Sequence, residues 1–132
     1  MTYQYSVAVR NASLDVKETT IGVSAVLKIF SGAEPANCAA ADPTGLLVSM
    51  TLPSDWMNAA SAGAKTKLGA WSAAASGGGA GTNAASFRIY ASDGTTCGIQ
   101  GNTTVDMTLD NISIATGQVV TVNTFTITAG NP

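Results

Sequence analysis

Residues 84–101 read Ala84-Ala85-Ser86-Phe87-Arg88-Ile89-Tyr90-Ala91-Ser92-Asp93-Gly94-Thr95-Thr96-Cys97-Gly98-Ile99-Gln100-Gly101. Phe87 and Ile89 fall on one face and Arg88 and Tyr90 on the other, the period of two of a β-strand. Asp93-Gly94 is a strong turn signal, because glycine takes a positive φ without a Cβ clash. The return arm places Thr95, Cys97 and Ile99 on one face and Thr96, Gly98 and Gln100 on the other. Gly101-Asn102 closes the unit, which reads as a β-hairpin. A lone hairpin is marginal in water, so its apolar face needs further strands to cover it.

Strands of the right kind lie on both sides. Downstream, Thr103–Leu109 alternates Val105, Met107 and Leu109 inward with Thr104, Asp106 and Thr108 outward. Asp110-Asn111 and Thr116-Gly117 are turns around a short strand at Ile112 and Ile114. Gln118–Thr128 alternates again, with Val120, Val122, Thr124, Thr126 and Thr128 on one face and Val119, Thr121, Asn123, Phe125 and Ile127 on the other. Threonine-rich β-branched strands pack on a pleated sheet and leave one face wettable. Upstream, Val23–Phe30 and Gly45–Leu52 read as strands, separated by a loop over Ser31–Pro43 and stopped by Pro53. Ser54-Asp55-Trp56-Met57 reads as a turn whose Trp56 and Met57 lid one end of the core.

Residues 58–83 are dominated by Ala, Gly and Ser, and Gly77-Gly78-Gly79 reads as a flexible point in a long exposed hairpin connection. Leu68–Ala73 is expected to add one strand anchored by Leu68 and Trp71. At the other end, Val7, Leu14 and Ile21 repeat at seven, and Val9, Ala12 and Val16 form a second set at i, i+3, i+7. This predicts a short amphipathic helix, N-capped by Ser6 and ended by Gly22, with its apolar side on the sheet or on a partner. A strand over Tyr3–Val9 is the competing reading. The expected organisation is one domain over 1–132, with 1–22 as an N-terminal arm and helix. About seven or eight strands at these spacings, without βαβ alternation, predict an all-β chain: a two-sheet antiparallel sandwich of jelly-roll or immunoglobulin-like kind.

Composition narrows the function classes. Apolar residues make up 45% of the 132-residue chain, enough for a real core, but charged residues only 11% against the usual 25% or so. The difference is made up by Ala, Gly, Ser, Thr and Asn, which suits repetitive assemblies whose subunits hide surface against neighbours. The net charge is −2 with six scattered basic residues, so nucleic acid is not an expected partner. No apolar run approaches the length of a membrane span, and no signal peptide follows Met1, so the expectation is no membrane partner and synthesis in a cytoplasm. Cys38 and Cys97 would be free thiols there; in an oxidising place their pairing would close a long loop and contribute about 4 kcal/mol. Cys97 shares a face with Ile99 in this reading, as a small buried hydrophobe.

Catalytic equipment is sparse. The chain has no histidine, which removes the commonest general base and metal ligand. Lys65 and Lys67 fall in a polar loop expected to be exposed. Asp106 and Asp110 straddle one strand, and Asp93 sits in the hairpin turn, but the expected role of dispersed carboxylates is a solvated face. No oxygen-ligand loop or zinc spacing is present, so no catalytic residue, metal or cofactor is expected. Trp56, Trp71 and Tyr90 are the candidate partner contacts, a platform on which a sugar could stack; the plainer role for both tryptophans is core.

Several stretches taken together resemble a known group. They are Val9-Arg10-Asn11-Ala12 leading to Glu18-Thr19-Thr20-Ile21-Gly22; Ala25-Val26-Leu27-Lys28-Ile29; Thr51-Leu52-Pro53-Ser54-Asp55-Trp56-Met57; Phe87-Arg88-Ile89-Tyr90 with Gly94-Thr95-Thr96-Cys97; and Phe125-Thr126-Ile127-Thr128. The chain resembles small virion structural proteins of tailed bacteriophages and prophages, over nearly its whole length. The resemblance implies a non-enzymatic subunit that decorates or cements a capsid, bridging neighbouring copies of the major capsid protein. It also implies a homo-oligomer, often a trimer, placed on the virion surface after assembly in the host cytoplasm. The alternative is a tail-tip or fibre-associated host-binding module that takes glycans. No catalytic residue transfers from the resemblance.

Overall fold

The computed structural model describes residues 3–129. One helix, α1 (Val7–Ile21), precedes ten strands: β1 (Val26–Phe30), β2 (Leu46–Thr51), β3 (Ala64–Thr66), β4 (Ser72–Ala74), β5 (Thr82–Asn83), β6 (Ser86–Tyr90), β7 (Cys97–Asn102), β8 (Met107–Leu109), β9 (Ser113–Ile114) and β10 (Val119–Thr128). Every strand pairing is antiparallel. The chain is therefore mostly β, in several antiparallel sheets, with one short helix.

The helix forms where its caps predict. Ser6 Oγ accepts from the Val9 N–H at 3.2 Å, and Gly22, at φ +97°, donates its N–H to Glu18 O at 2.9 Å. A left-handed φ of that size is free only for glycine.

The first sheet has the order β2-β1-β6-β7, with the β6–β7 hairpin at one edge. Asp93 fixes the hairpin turn by accepting from the Thr95 and Thr96 N–H groups at 2.8 and 2.9 Å, and Gly94 takes φ +72°. One register shift changes the expected faces. Ile89 pairs with Ile99 but Tyr90 pairs with Cys97, so Gly98 is an extra residue in a bulge. Cys97 consequently lies on the Tyr90 face rather than with Ile99. Both faces of β6 are buried, Phe87 and Ile89 by the core and Arg88 and Tyr90 by the 31–43 loop.

The second sheet is built on β10, which pairs with β4 through Val119–Thr121, with β8 through Val122–Phe125 and with β3 through Thr126–Thr128. Lys67 N–H donates to Phe125 O, and Val122 N–H to Trp71 O, so the ladder continues on either side of a break at Leu68-Gly69-Ala70. A register shift between Val122 and Thr124 moves β10 by one face. Val120, Val122 and Phe125 are therefore all buried, although strict alternation puts the valines and Phe125 on opposite faces. Thr103–Asp106 is a turn, not the start of a strand, and leaves Val105 81% exposed.

The two sheets enclose one core that includes Leu27, Ile29, Met50, Trp71, Phe87 and Phe125. The Phe125 ring sits 5.6 Å from both the Trp71 and the Phe87 rings, centroid to centroid, joining the sheets. Trp56 and Met57 are buried at one end, as a lid should be.

The expectation of a long exposed connection over 58–83 is not met. It carries three short strands, and its glycine run is packed. A Cβ on Gly77 would lie 2.2 Å from Leu46 O, and one on Gly78 2.2 Å from Ile114 O. These glycines are there because two backbones pass too close for a side chain.

Candidate interaction surface

The site with the most unusual chemistry is α1 and what it covers. Its charged residues Arg10, Asp15 and Glu18 are bonded to the neighbouring β segments. Arg10 Nε donates to Ala129 O at 3.0 Å, and the Asn11 side chain accepts the Gly63 N–H at 2.9 Å. Glu18 accepts the Met57 N–H at 3.1 Å, and Asp15 the Ala60 N–H at 2.9 Å. Between the two carboxylates lies Lys65 of β3, which is buried rather than exposed as its loop setting suggested. Its ammonium donates to Asp15 Oδ1 at 2.7 Å and to Asn58 O at 2.8 Å, and lies 2.9 Å from Glu18 Oε1. All three ammonium protons thus have a partner.

This node is ionic. Burial opposes the Lys65 charge, but the bonds to Asp15 and Glu18 outweigh it and raise the lysine above its ordinary value. The bond from Lys65 and that from the Ala60 N–H lower Asp15. A lysine held between two carboxylates has the geometry for intramolecular amide formation. That reaction needs a neutral amine and a neutral acid, and both shifts run the other way. The node clamps the helix to β3.

The outward face of α1 has the opposite character. Val7, Val9 and Val16 are 51%, 50% and 59% exposed. Ala8, Ala12, Ser13, Thr19 and Thr20 are exposed beside them, and among the exposed residues of α1 only Lys17 carries a charge. Tyr3 and Tyr5, packed edge to face at 5.5 Å, continue this surface before the helix. Amphipathic surface helices normally bury the apolar stripe and show their charges to water. Here Leu14 is buried and Ile21 packs against Gly98, while the Val9–Ala12–Val16 stripe faces out. A groove of about 500 Å³ runs beside the helix between Tyr5, Val9 and Thr128, and another of about 460 Å³ lies between Val16, Ile21 and Ile99.

A second cluster lies across β6 and β7. The buried Arg88 guanidinium donates to Asp42 Oδ1 at 2.9 Å, to Asn37 O at 3.0 Å, to Ala40 O at 3.1 Å and to Gln100 Oε1 at 3.2 Å. Tyr90 donates its phenol proton to Asp42 at 2.5 Å, and Gln100 donates to Pro35 O at 2.7 Å. Cys38 and Cys97 are joined in a disulfide, with Cα atoms 5.5 Å apart. The 31–43 loop is thus bonded flat onto the strand face. Burial first, then the Asp42 bond, pushes the Tyr90 phenol up to about 12. The Tyr90 bond, then Arg88, holds the Asp42 carboxyl below its ordinary value against some desolvation.

The three candidate partner contacts are all closed to solvent: Trp56 is 1% exposed, and Trp71 and Tyr90 are 0%. Trp56 Nε1 donates to Gly22 O at 2.9 Å, which ties the end of α1 to the core, and Trp71 Nε1 donates to Leu68 O at 3.2 Å. Tyr90 lies under Lys28 Nζ at 4.9 Å. None of them offers a ring face to a partner or a sugar; their size made them core residues. The dispersed aspartates hold local turns. Asp93 is lowered to about 2 by Thr96 and Thr95, Asp106 accepts the Asn102 N–H at 2.8 Å, and Asp110 accepts the Thr121 N–H at 3.1 Å. Among the described residues no group of three or more Cys, Asp or Glu is placed to hold a metal ion, and no helix is long and apolar enough to cross a membrane.

Comparison of the chain with protein-family models, with curated proteins and with solved structures gives no match. The outward helix face, which sequence reasoning left open between sheet and partner, is therefore the main local guide to function.

Proposed function

We propose that this chain is a non-enzymatic structural subunit of a tailed-phage virion, which decorates or cements the capsid by bridging neighbouring capsid subunits. The observation that carries the reading is the outward face of α1, an exposed and nearly uncharged surface on a chain with only 11% charged residues. Such a surface is costly on a protein that stays alone in water and useful on one that is covered in an assembly. Weak contacts of this kind suffice on a shell, because many copies act together. The resemblance of the strand motifs to small virion proteins points the same way.

In this reading the β2-β1-β6-β7 sheet and the β10 sheet are the two layers of a sandwich of jelly-roll or immunoglobulin-like kind. The partners are the major capsid protein and further copies of the chain. Assembly takes place in the host cytoplasm with both thiols reduced, and the disulfide closes after release. The glycan-binding alternative drew on Trp56, Trp71 and Tyr90, and their burial leaves it without a platform.

The test is quantitative mass spectrometry of purified virions against the major capsid protein. A copy number comparable with the capsid protein is expected. A handful of copies would move the subunit to the tail, and absence from virions would overturn the proposal.

A further inference from the structure

We infer that the outward face of α1 is a self-association surface, on which the same helix of a second copy of this chain packs. The inference deepens the assembly role proposed above by naming the surface and its occupant.

The spacing carries the first part of the argument. Val9, Ala12, Val16 and Thr19 stand at i, i+3, i+7 and i+10, all exposed and in one line along the helix. That is the a/d spacing of a seam between two helices, and at 1.5 Å per residue it runs about 15 Å along the axis. The other seven-residue repeat is already used on the inside, where Leu14 is buried and Ile21 packs on Gly98. The helix thus has two apolar stripes, of which the fold occupies one. The Thr19 hydroxyl donates to Asp15 O at 3.1 Å, so this polar group needs no partner from the second helix.

Charge decides the occupant. Asp15 and Glu18 are committed to Lys65, and Arg10 to Ala129 O, so the seam carries no charge. A surface without charge is one that can face its own copy without like-charge repulsion, and it offers a charged heterologous partner nothing to pair with. Lys17 stands beside the stripe, at the rim. The two grooves flanking the helix, of about 500 and 460 Å³, give room for side chains of the second helix on either side of the seam. The exposed Tyr3 and Tyr5 extend the patch beyond the first turn.

The experiment is sedimentation velocity of the full chain over a concentration range reaching about 100 µM, with a Val9→Glu/Val16→Glu double variant beside it. The wild type is expected to associate with rising concentration, and the double variant to weaken association by about 100-fold or more. Both residues are exposed, so the variant should keep the wild-type circular dichroism spectrum and melting temperature. A Val16→Ile variant should associate at least as well as wild type. A wild type that stays monomeric throughout, or a folded double variant that associates as wild type does, overturns the inference. If the double variant does not fold, the wild-type concentration series still decides. The virion copy number is measured separately, so either proposal can fail without the other.

Discussion

Removing the Cys38–Cys97 bond should cost stability without dismantling the loop it staples. The cysteines are 59 residues apart in sequence, and the chain-entropy model gives about 4 kcal/mol for closing a loop of that length in the unfolded chain. The native side of the balance should change little, because Arg88, Tyr90 and Gln100 hold the 31–43 loop by six hydrogen bonds of their own. An unfolding entropy of about 2.1 cal/mol/K per residue turns 4 kcal/mol into a fall in Tm of roughly 15 °C for a chain of this size. The assay is a thermal melt of oxidised protein against the Cys38→Ser/Cys97→Ser variant, followed by circular dichroism. Thiol titration of the oxidised protein in denaturant should find no free thiol. Two reactive thiols there would remove the premise. A Tm change below about 3 °C with the bond intact would refute the entropic reasoning.

Lys65→Met should destabilise by about 2–4 kcal/mol, since it leaves two carboxylates and the Asn58 carbonyl facing an apolar chain; urea denaturation checks it, and a loss below about 0.5 kcal/mol would mean the node is idle. Gly77→Ala should cost about 1–3 kcal/mol, because its Cβ would meet Leu46 O at 2.2 Å; an unchanged melt would refute close backbone approach there. Stability should fall at both ends of the pH scale. Asp42, Asp15 and Asp93 are lowered from 3.8, so their contribution is complete above that pH and is lost as pH falls through the folded values, about 2 for Asp93. Lys65 is raised from 10.5 and Tyr90 from 10.0 to about 12, so theirs is complete below pH 10 and is lost on the way up. A Tm that stays flat from pH 4 down to 2 would contradict the carboxylate part.

The features legible in the sequence were those with a local cause. Ser6 and Gly22 bracket α1 because a cap is chosen by three or four neighbouring residues, and the Asp93-Gly94 turn is local in the same way. Faces were legible only up to the first irregularity. The bulge at Gly98 turned Cys97 toward Cys38, and the shift after Val122 brought Phe125 into the core with Val120. A period-two reading has no means of registering an inserted residue. Strands β3, β4 and β5 span two or three residues each, shorter than any window in which a period can be seen. Lys65 was illegible for another reason: a lysine reads as exposed unless the carboxylates that meet it are known, and Asp15 lies 50 residues away. The Val9–Ala12–Val16 set was visible as a stripe, but which stripe faces out depends on contacts made far along the chain.

The position of β10 bears on how the protein comes to exist in a cell. It is the common partner of β3, β4 and β8, which have no other ladder among them. A ribosome delivers it after all three. Until residues 119–128 emerge, those short strands have nothing to pair with, and Trp71 waits uncovered for Phe125. The β2-β1-β6-β7 sheet is complete by residue 102 and can form earlier, so the nascent chain passes through a half-built stage with one apolar sheet face open. A stop codon or a protease cut ahead of Val119 would freeze the chain there, as a sticky fragment rather than a smaller working subunit. Quality control should therefore fall hardest on shortened products, and display tags are better carried elsewhere than inside this strand.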